Sequence, residues 1–211
     1  MRLSSLNVSG LVETMWRGKV VTTGFFKKPV SGRRALGRLG GSGDMQADPR
    51  FHGGEYKAVY AYSADAYPAW EKELGRALEP GAFGENLTVA GLVDEDLCVG
   101  DEVRVGSALL RAVQPRQPCW KLGMRFEDPG MVKRFHDSGR WGVYFSVLEE
   151  GEAGAGDAVS VVRRDPGRFP VPLLTRMTLA SPRDPALVAR ALAIPALPPE
   201  WAEKLGRGET P

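Results

Sequence analysis

The sequence predicts a mainly β chain of the α+β class that ends in a small three-helix appendage, and three observations predict it. Its apolar segments are short, alternating or β-branched, and bounded by turn residues. Glycine and proline are frequent, 26 and 16 in 211 residues, which suits tight turns between short strands. After Asp165-Pro166-Gly167 the pattern changes to proline-punctuated helical pieces. The expected organisation is a β domain over 1–164 and a helical extension over 165–211.

In chain order, Arg2–Val8, Lys19–Phe26 and Ala58–Tyr62 read as strands. Tyr67, Trp70 and Leu74 then repeat at helical spacing, which predicts a helix capped by Ser63 or Asp65. Glu102–Val105 and Ala108–Val113 flank Gly106-Ser107 as a hairpin. The chain then enters Gln114-Pro115-Arg116-Gln117-Pro118-Cys119, where two prolines fix their own φ and bias the preceding glutamines away from the helical region. This loop should be stiff and extended. Pro129–His136 reads as a short helix, and Val143–Leu148 and Ala158–Val162 as strands around a glycine-rich Glu149–Asp157 turn.

Three helical pieces follow near Pro172–Leu179, Asp184–Leu192 and Pro199–Leu205. Asp184 before Pro185 is a capping acid, and Leu187, Val188, Ala191 and Leu192 form one apolar face. Trp201 and Leu205 repeat that spacing. So short a segment buries little core alone and must pack on the β region or on another subunit.

Charge and composition exclude some functions. The 28 basic and 26 acidic residues leave a formal charge of +2, too even for binding nucleic acid by phosphate neutralisation. No apolar run is long enough for a membrane helix and the N-terminus lacks a secretory pattern, so a cytoplasmic protein is expected. Cys98 and Cys119 show no disulfide framework, and His52 and His136 are too scattered for a structural zinc site.

Cys119 is the better reactive thiol, because Arg116 and Lys121 flank it and nearby cations favour thiolate. Cys98, between Leu97 and Val99, reads as an inert core cysteine. The Gly43–Lys57 segment holds Asp44, His52, Gly53, Gly54 and Lys57, and two readings stand: a solvated strand-entry turn, or a loop whose glycine backbone and lysine meet an anion. Glu85 and Asn86 lie in a second tight loop, Gly81–Leu87. Lys27, Lys28, Arg33 and Arg34 make a basic cluster, either a solvated face or the wall of an anion pocket.

Taken in order, Lys27-Lys28-Pro29-Val30, Gly43 to Asp48, His52 to Val59, Gly81 to Leu87, Gly100-Asp101 and Gln114 to Cys119 resemble the MOSC domain family, in its YiiM-like branch with a C-terminal three-helix extension. The resemblance covers roughly Leu3 to Val162, and the tail resembles the extension from about Phe169. It implies a β-barrel-like domain binding molybdenum cofactor (molybdopterin), with Cys119 as the metal ligand. It further implies reduction of N-hydroxylated compounds, hydroxylaminopurines included, to amines. Lys57, Arg116 and Lys27, with Gly53, Gly54 and Gln117, would hold the cofactor. Asp44, His52, Glu85 and Asn86 would contact the ring or handle protons, with their roles left open among them.

Met45 stands where relatives often carry glycine, and Trp120 where phenylalanine is common. The chain has no cysteine set for an iron–sulfur cluster and no flavin motif, so electrons would come from a partner such as an NADPH-dependent flavin reductase. A homodimer is compatible with this reading. Two other readings share Cys119: a non-catalytic carrier of cofactor or of persulfide sulfur, and a thiol hydrolase, which needs a histidine within hydrogen-bond reach.

Overall fold

The computed structural model describes residues 1–180 and 184–207. Strand β1 (Arg2–Val8) leads into a hairpin of β2 (Val12–Trp16) and β3 (Lys19–Thr23), then the short strands β4 (Lys28–Pro29), β5 (Arg34–Gly37) and β6 (Gly40–Gly41). A single turn, α1 (Pro49–His52), precedes β7 (Val59–Ser63), α2 (Tyr67–Leu74) and β8 (Leu87–Ala90). The hairpin β9 (Glu102–Val105) and β10 (Ala108–Pro115) is followed by α3 (Trp120–Phe126) and α4 (Met131–Ser138). Strands β11 (Val143–Glu149), β12 (Gly151–Ala153) and β13 (Val159–Arg163) come next, and then α5 (Val171–Leu179), α6 (Pro185–Leu192) and α7 (Pro199–Gly206).

Eight strands form the main sheet in the order β13-β9-β10-β11-β7-β8-β1-β4. Every neighbouring pair is antiparallel except β7 with β8. The barrel-like closure expected from the resemblance is not completed, because the free edge of β1 is divided between two partners. Its last residues pair with β4 (Asn7↔Pro29, Val8↔Lys28). Its first residues meet the start of β13 through one bridge, Arg2↔Ala158, flanked by Leu3 N–H to Asp157 O at 2.9 Å and Val159 N–H to Met1 O at 3.0 Å. The fold is mainly sheet with short helices and no closed barrel.

Strand β7 separates two cores by the two-residue alternation of side chains across a sheet. Val59 and Ala61 join an aliphatic core with Leu3, Leu87, Leu110 and Phe145. Tyr60 and Tyr62 face an aromatic core with Trp70, Phe83, Phe126, Phe135 and Trp141. Phe169, Leu174, Trp201 and Leu205 belong to the aliphatic core, so the C-terminal helices pack on the sheet. Burial of Leu205 alone contributes roughly 1.5–3 kcal/mol.

Several local expectations change. Neither Ser63 nor Asp65 caps a helix: Ser63 Oγ donates to Leu92 O at 2.8 Å and Asp65 accepts from Gly91 N–H at 2.8 Å. Those contacts tie the chain to the loop after β8; a 3-10 turn over Ala64–Ala66 begins where the helix start is expected and runs into α2 at Tyr67. Asp184 does cap α6, accepting from Ala186 N–H at 2.8 Å. Leu192 is exposed, while Leu187, Val188 and Ala191 face the core. The Glu149–Asp157 turn contains β12, which pairs with β5 (Glu152↔Ala35). The strand expected over Lys19–Phe26 is present but ends at Thr23, while its partner β2 and helix α3 were not anticipated, because neither carries an apolar period long enough to read.

Candidate functional site

Strand β10 ends at Pro115, paired with Val143 of β11. The chain stays extended through Cys119 (φ −137, ψ 166) and turns into α3 at Trp120, as two prolines in the loop require. The Arg116 N–H donates to Gly142 O at 3.3 Å. Gly142 has φ +66, and a Cβ there would stand 2.4 Å from Ala61 O, so only glycine lets this anchor lie against β7.

Arg116 turns inward and is 4% exposed. Its guanidinium lies over the rings of Phe25, Tyr60 and Phe135 at 5.5, 5.8 and 5.6 Å. Nη2 donates to Cys119 Sγ at 3.5 Å, while Nη1 is buried with no hydrogen-bond partner among the described residues. Burial opposes the charge, but Cys119 and the hydroxyls of Tyr60 and Tyr144 together hold the Arg116 pKa above its ordinary value. Asp94 Oδ1 is also buried and unpartnered. Burial pushes that carboxyl up to about 6, so it sheds its charge in mild acid. A guanidinium has no such escape. The unmet donor of Arg116 therefore calls for an acceptor from outside the chain.

Above Arg116 lies a cleft of about 530 Å³, a volume ordinary for small-molecule sites. Its lining includes the whole Gln114–Lys121 segment, with Asp48, His52 and Lys57 on one side and Glu200 and Trp201 of α7 on another. A smaller inner pocket, reached by Lys27, Asp44 and Asn86, shares His52, Lys57, Arg116, Lys121 and Tyr144 with it. Lys121 is 8% exposed and forms no hydrogen bond or ion pair with the described residues; burial lowers its pKa against the pull of Cys119. Lys57 Nζ donates to Phe51 O at 3.1 Å and faces Glu200 Oε2 at 3.3 Å. Burial, then the charges of Lys121, Arg116 and Lys57, push His52 down to about 4, so its imidazole is neutral at pH 7.

The residues singled out from sequence divide into three groups. Cys119, Arg116, Gln117, Lys57 and His52 share the main cleft. Lys27, Asp44 and Asn86 stand one layer deeper, around a carboxylate engaged on every side. Asp44 pairs with Lys27 and accepts from Ser9 N–H at 3.0 Å, Gln46 Nε2 at 3.2 Å and Asn86 Nδ2 at 3.0 Å. Asn86 Oδ1 in turn accepts from Tyr60 N–H at 3.1 Å.

Glu85, Gly53 and Gly54 line neither cavity. Glu85 is fully buried, accepting from Tyr67 Oη, Gly81 N–H, Phe83 N–H and Thr88 Oγ1. Gly53 is pressed against Pro49, where a Cβ would lie 3.1 Å from its Cα, and Gly54 takes φ +87 to leave α1.

Sequence reasoning missed Tyr144, Glu200 and Trp201, and noted Lys121 only as a neighbour of Cys119. The helical spacing of Trp201 and Leu205 marked a buried face, but nothing local says which strand it meets. That contact runs from Trp201 Nε1 to Gln114 Oε1, and Gln114 Nε2 continues it to Tyr56 O at 2.9 Å. No hydrogen bond joins either histidine to Cys119 among the described residues, and His136 sits beside Asp137 at 3.3 Å on α4. The thiol-hydrolase reading therefore lacks its base.

Among the described residues, no group of three His, Cys, Asp or Glu side chains is placed to hold a metal. A metal at Cys119 would have to bring its other donors with it. No helix among the described residues is long and apolar enough to cross a membrane.

The MOSC domain model matches residues 48–160 of the chain. A protein of Bacillus subtilis (strain 168), uncharacterized protein YflK, is 39% identical over 197 residues, 93% of this chain and 89% of its own length. A reductase of Gibberella moniliformis is 34% identical over 184 residues; the match takes in 84% of this chain and only 32% of that longer protein. Among solved structures, YiiM from Geobacillus stearothermophilus superposes with a TM-score of 0.83 at 31% identity, covering 98% of both chains.

Proposed function

Because the chain belongs to the MOSC domain family, on its YiiM-like branch, we propose that the cleft over Cys119 binds a molybdenum cofactor and that the protein reduces N-hydroxylated compounds to the corresponding amines. The observation that carries this reading is Arg116, a permanently charged, buried side chain with one nitrogen on the Cys119 sulfur and the other unmet. A cofactor that presents oxyanions and carries most of its own metal donors fits such a site. It supplies a ligand for one soft thiolate and acceptors for buried cations, where a bare ion would need a protein cage that the described residues lack.

Cys119 would ligate the metal through Sγ, which Arg116 orients. Arg116, Lys121 and Lys57 would bind phosphate or oxo groups by charge-assisted hydrogen bonds. When bound, the cofactor supplies a two-electron centre able to accept an oxygen atom. His52, neutral at pH 7, lines the cleft and can hold or pass a proton there. Asp44 keeps Lys27 in place, so that it adds to Lys57, Arg116 and Lys121 around the inner pocket. Gln114 and Trp201, joined by a hydrogen bond, fix the outer wall. Electrons would be delivered by a separate NADPH-dependent flavin reductase.

Metal and pterin analysis of the purified protein, with anaerobic reduction of an N-hydroxylated base, an amidoxime and a hydroxylamine by an artificial electron donor, tests the proposal. Reduction of at least one compound that scales with molybdenum content is the expected result. Cofactor-loaded protein that reduces none of them while releasing sulfur from Cys119 would make the chain a carrier instead.

A further inference from the structure

The floor of the cleft is cationic, but its rim carries two groups of different character. Trp120, the residue after Cys119, lines the cleft and is 45% exposed. Its indole makes no aromatic or cation–π contact with the described residues, whereas Trp16, Trp70 and Trp141 each pack against a guanidinium or another ring. Tryptophan is usually well buried, so an indole left with an open face on a cavity wall is placed for stacking.

The second group is Glu200 of α7, whose side chain is 54% exposed and lines the same cleft. Its Oε1 faces Lys204 Nζ at 2.9 Å and its Oε2 faces Lys57 Nζ at 3.3 Å. The hydrogen bond from Lys204, then the charge of Lys57, hold its pKa below the usual carboxylate range. It is thus a permanent acceptor at neutral pH, with lone pairs left for a ligand N–H.

We propose that Trp120 and Glu200 are specificity-determining residues: a planar heteroaromatic ring stacks on Trp120 while its amino or ring N–H donates to Glu200. This rests on the reductase reading of the cleft floor and deepens it. Glu200 lies outside residues 48–160, so the C-terminal helix joins Trp120 of the family segment in setting the choice of substrate. Flat, donor-bearing N-hydroxy compounds are favoured over aliphatic ones, and anionic compounds are disfavoured by the carboxylate.

Calorimetric titration of the full-length, cofactor-free chain with adenine and with cyclohexylurea, a non-planar N–H donor, reads the subsite without turnover. Adenine should bind the more tightly. Trp120→Ala should weaken adenine by about tenfold, a base-stacking contribution, and Trp120→Phe should restore most of it. Glu200→Gln should weaken adenine by about fivefold through loss of a charge-assisted bond. In the cofactor-loaded enzyme, the same changes should raise KM for an N-hydroxyadenine with kcat nearly unchanged.

Adenine binding no tighter than cyclohexylurea, or unaltered in Trp120→Ala, would overturn the proposal. Trp120-dependent adenine binding in a loaded chain that reduces nothing would instead sink the reductase reading and leave the subsite standing.

Discussion

Two buried polar clusters, one reaching the inner pocket through Asp44 and Asn86 and the other through Arg116 and Lys121, are satisfied in opposite ways. Around Asp44 and Glu85 the donors converge on carboxylates from Lys27, Ser9, Gln46, Asn86, Tyr67, Gly81, Phe83 and Thr88. Around Arg116 the cations outnumber their acceptors: Nη1 is orphaned and Lys121 is buried without a hydrogen bond among the described residues. A closed network fixes the fold, whereas an open one of a single sign waits for a ligand. Residue type does not separate the two; how fully each group is partnered does.

Cys119→Ser should separate the clusters most sharply. Because even outer-shell partners of a metal cost about 10–100-fold when removed, loss of the ligand itself should cut molybdenum-dependent turnover by more than about 100-fold. Thermal unfolding should stay within a few degrees of wild type, since Cys119 is only half-buried. Wild-type turnover in this variant would break the contrast. Glu85→Ala should do the reverse. Stranding four donors should cost roughly 3 kcal/mol or more in urea unfolding, while sulfate binding to the folded protein is retained.

Arg116→Met is expected to lose about tenfold in oxyanion affinity, followed by calorimetry with sulfate. Its stability should be equal or higher, because a long apolar side chain replaces a buried charge with an unmet donor. A large loss of stability with unchanged sulfate binding would place Arg116 in the structural cluster instead. The smallest effect concerns His52, and its sign is fixed. With its pKa lowered to about 4 from an ordinary 6.5, the folded state resists protonation. The stability tied to neutral His52 is complete above 6.5 and declines as pH falls towards 4. An NMR titration should show this midpoint and an upward shift in Lys121→Met; an ordinary midpoint near 6.5 would contradict the cation cluster.

Much of this was legible in the chain. The strands at β7 and β11, the cap at Asp184 and the proline-stiffened run to Cys119 depend on local rules, and they stand where those rules put them. What stayed hidden depends on distant partners. The divided edge of β1, which leaves the sheet unclosed, is set by Ala158 and Pro29. Glu85 and Asn86 look alike in sequence, but Glu85 turns into a ring of donors while Asn86 reaches Asp44 and the inner pocket. Glu200 and Trp201 join the cleft only because α7 docks on Gln114 and Lys57, far back in the chain.

The claim that Cys119 holds the metal is tested most directly by X-ray absorption at the molybdenum edge, comparing cofactor-loaded wild type with Cys119→Ser. The loss of one sulfur scatterer from the metal shell in the variant is the predicted result. Identical sulfur coordination in both would show that the thiol on the proline-stiffened loop is not a ligand and would contradict this account of the cleft.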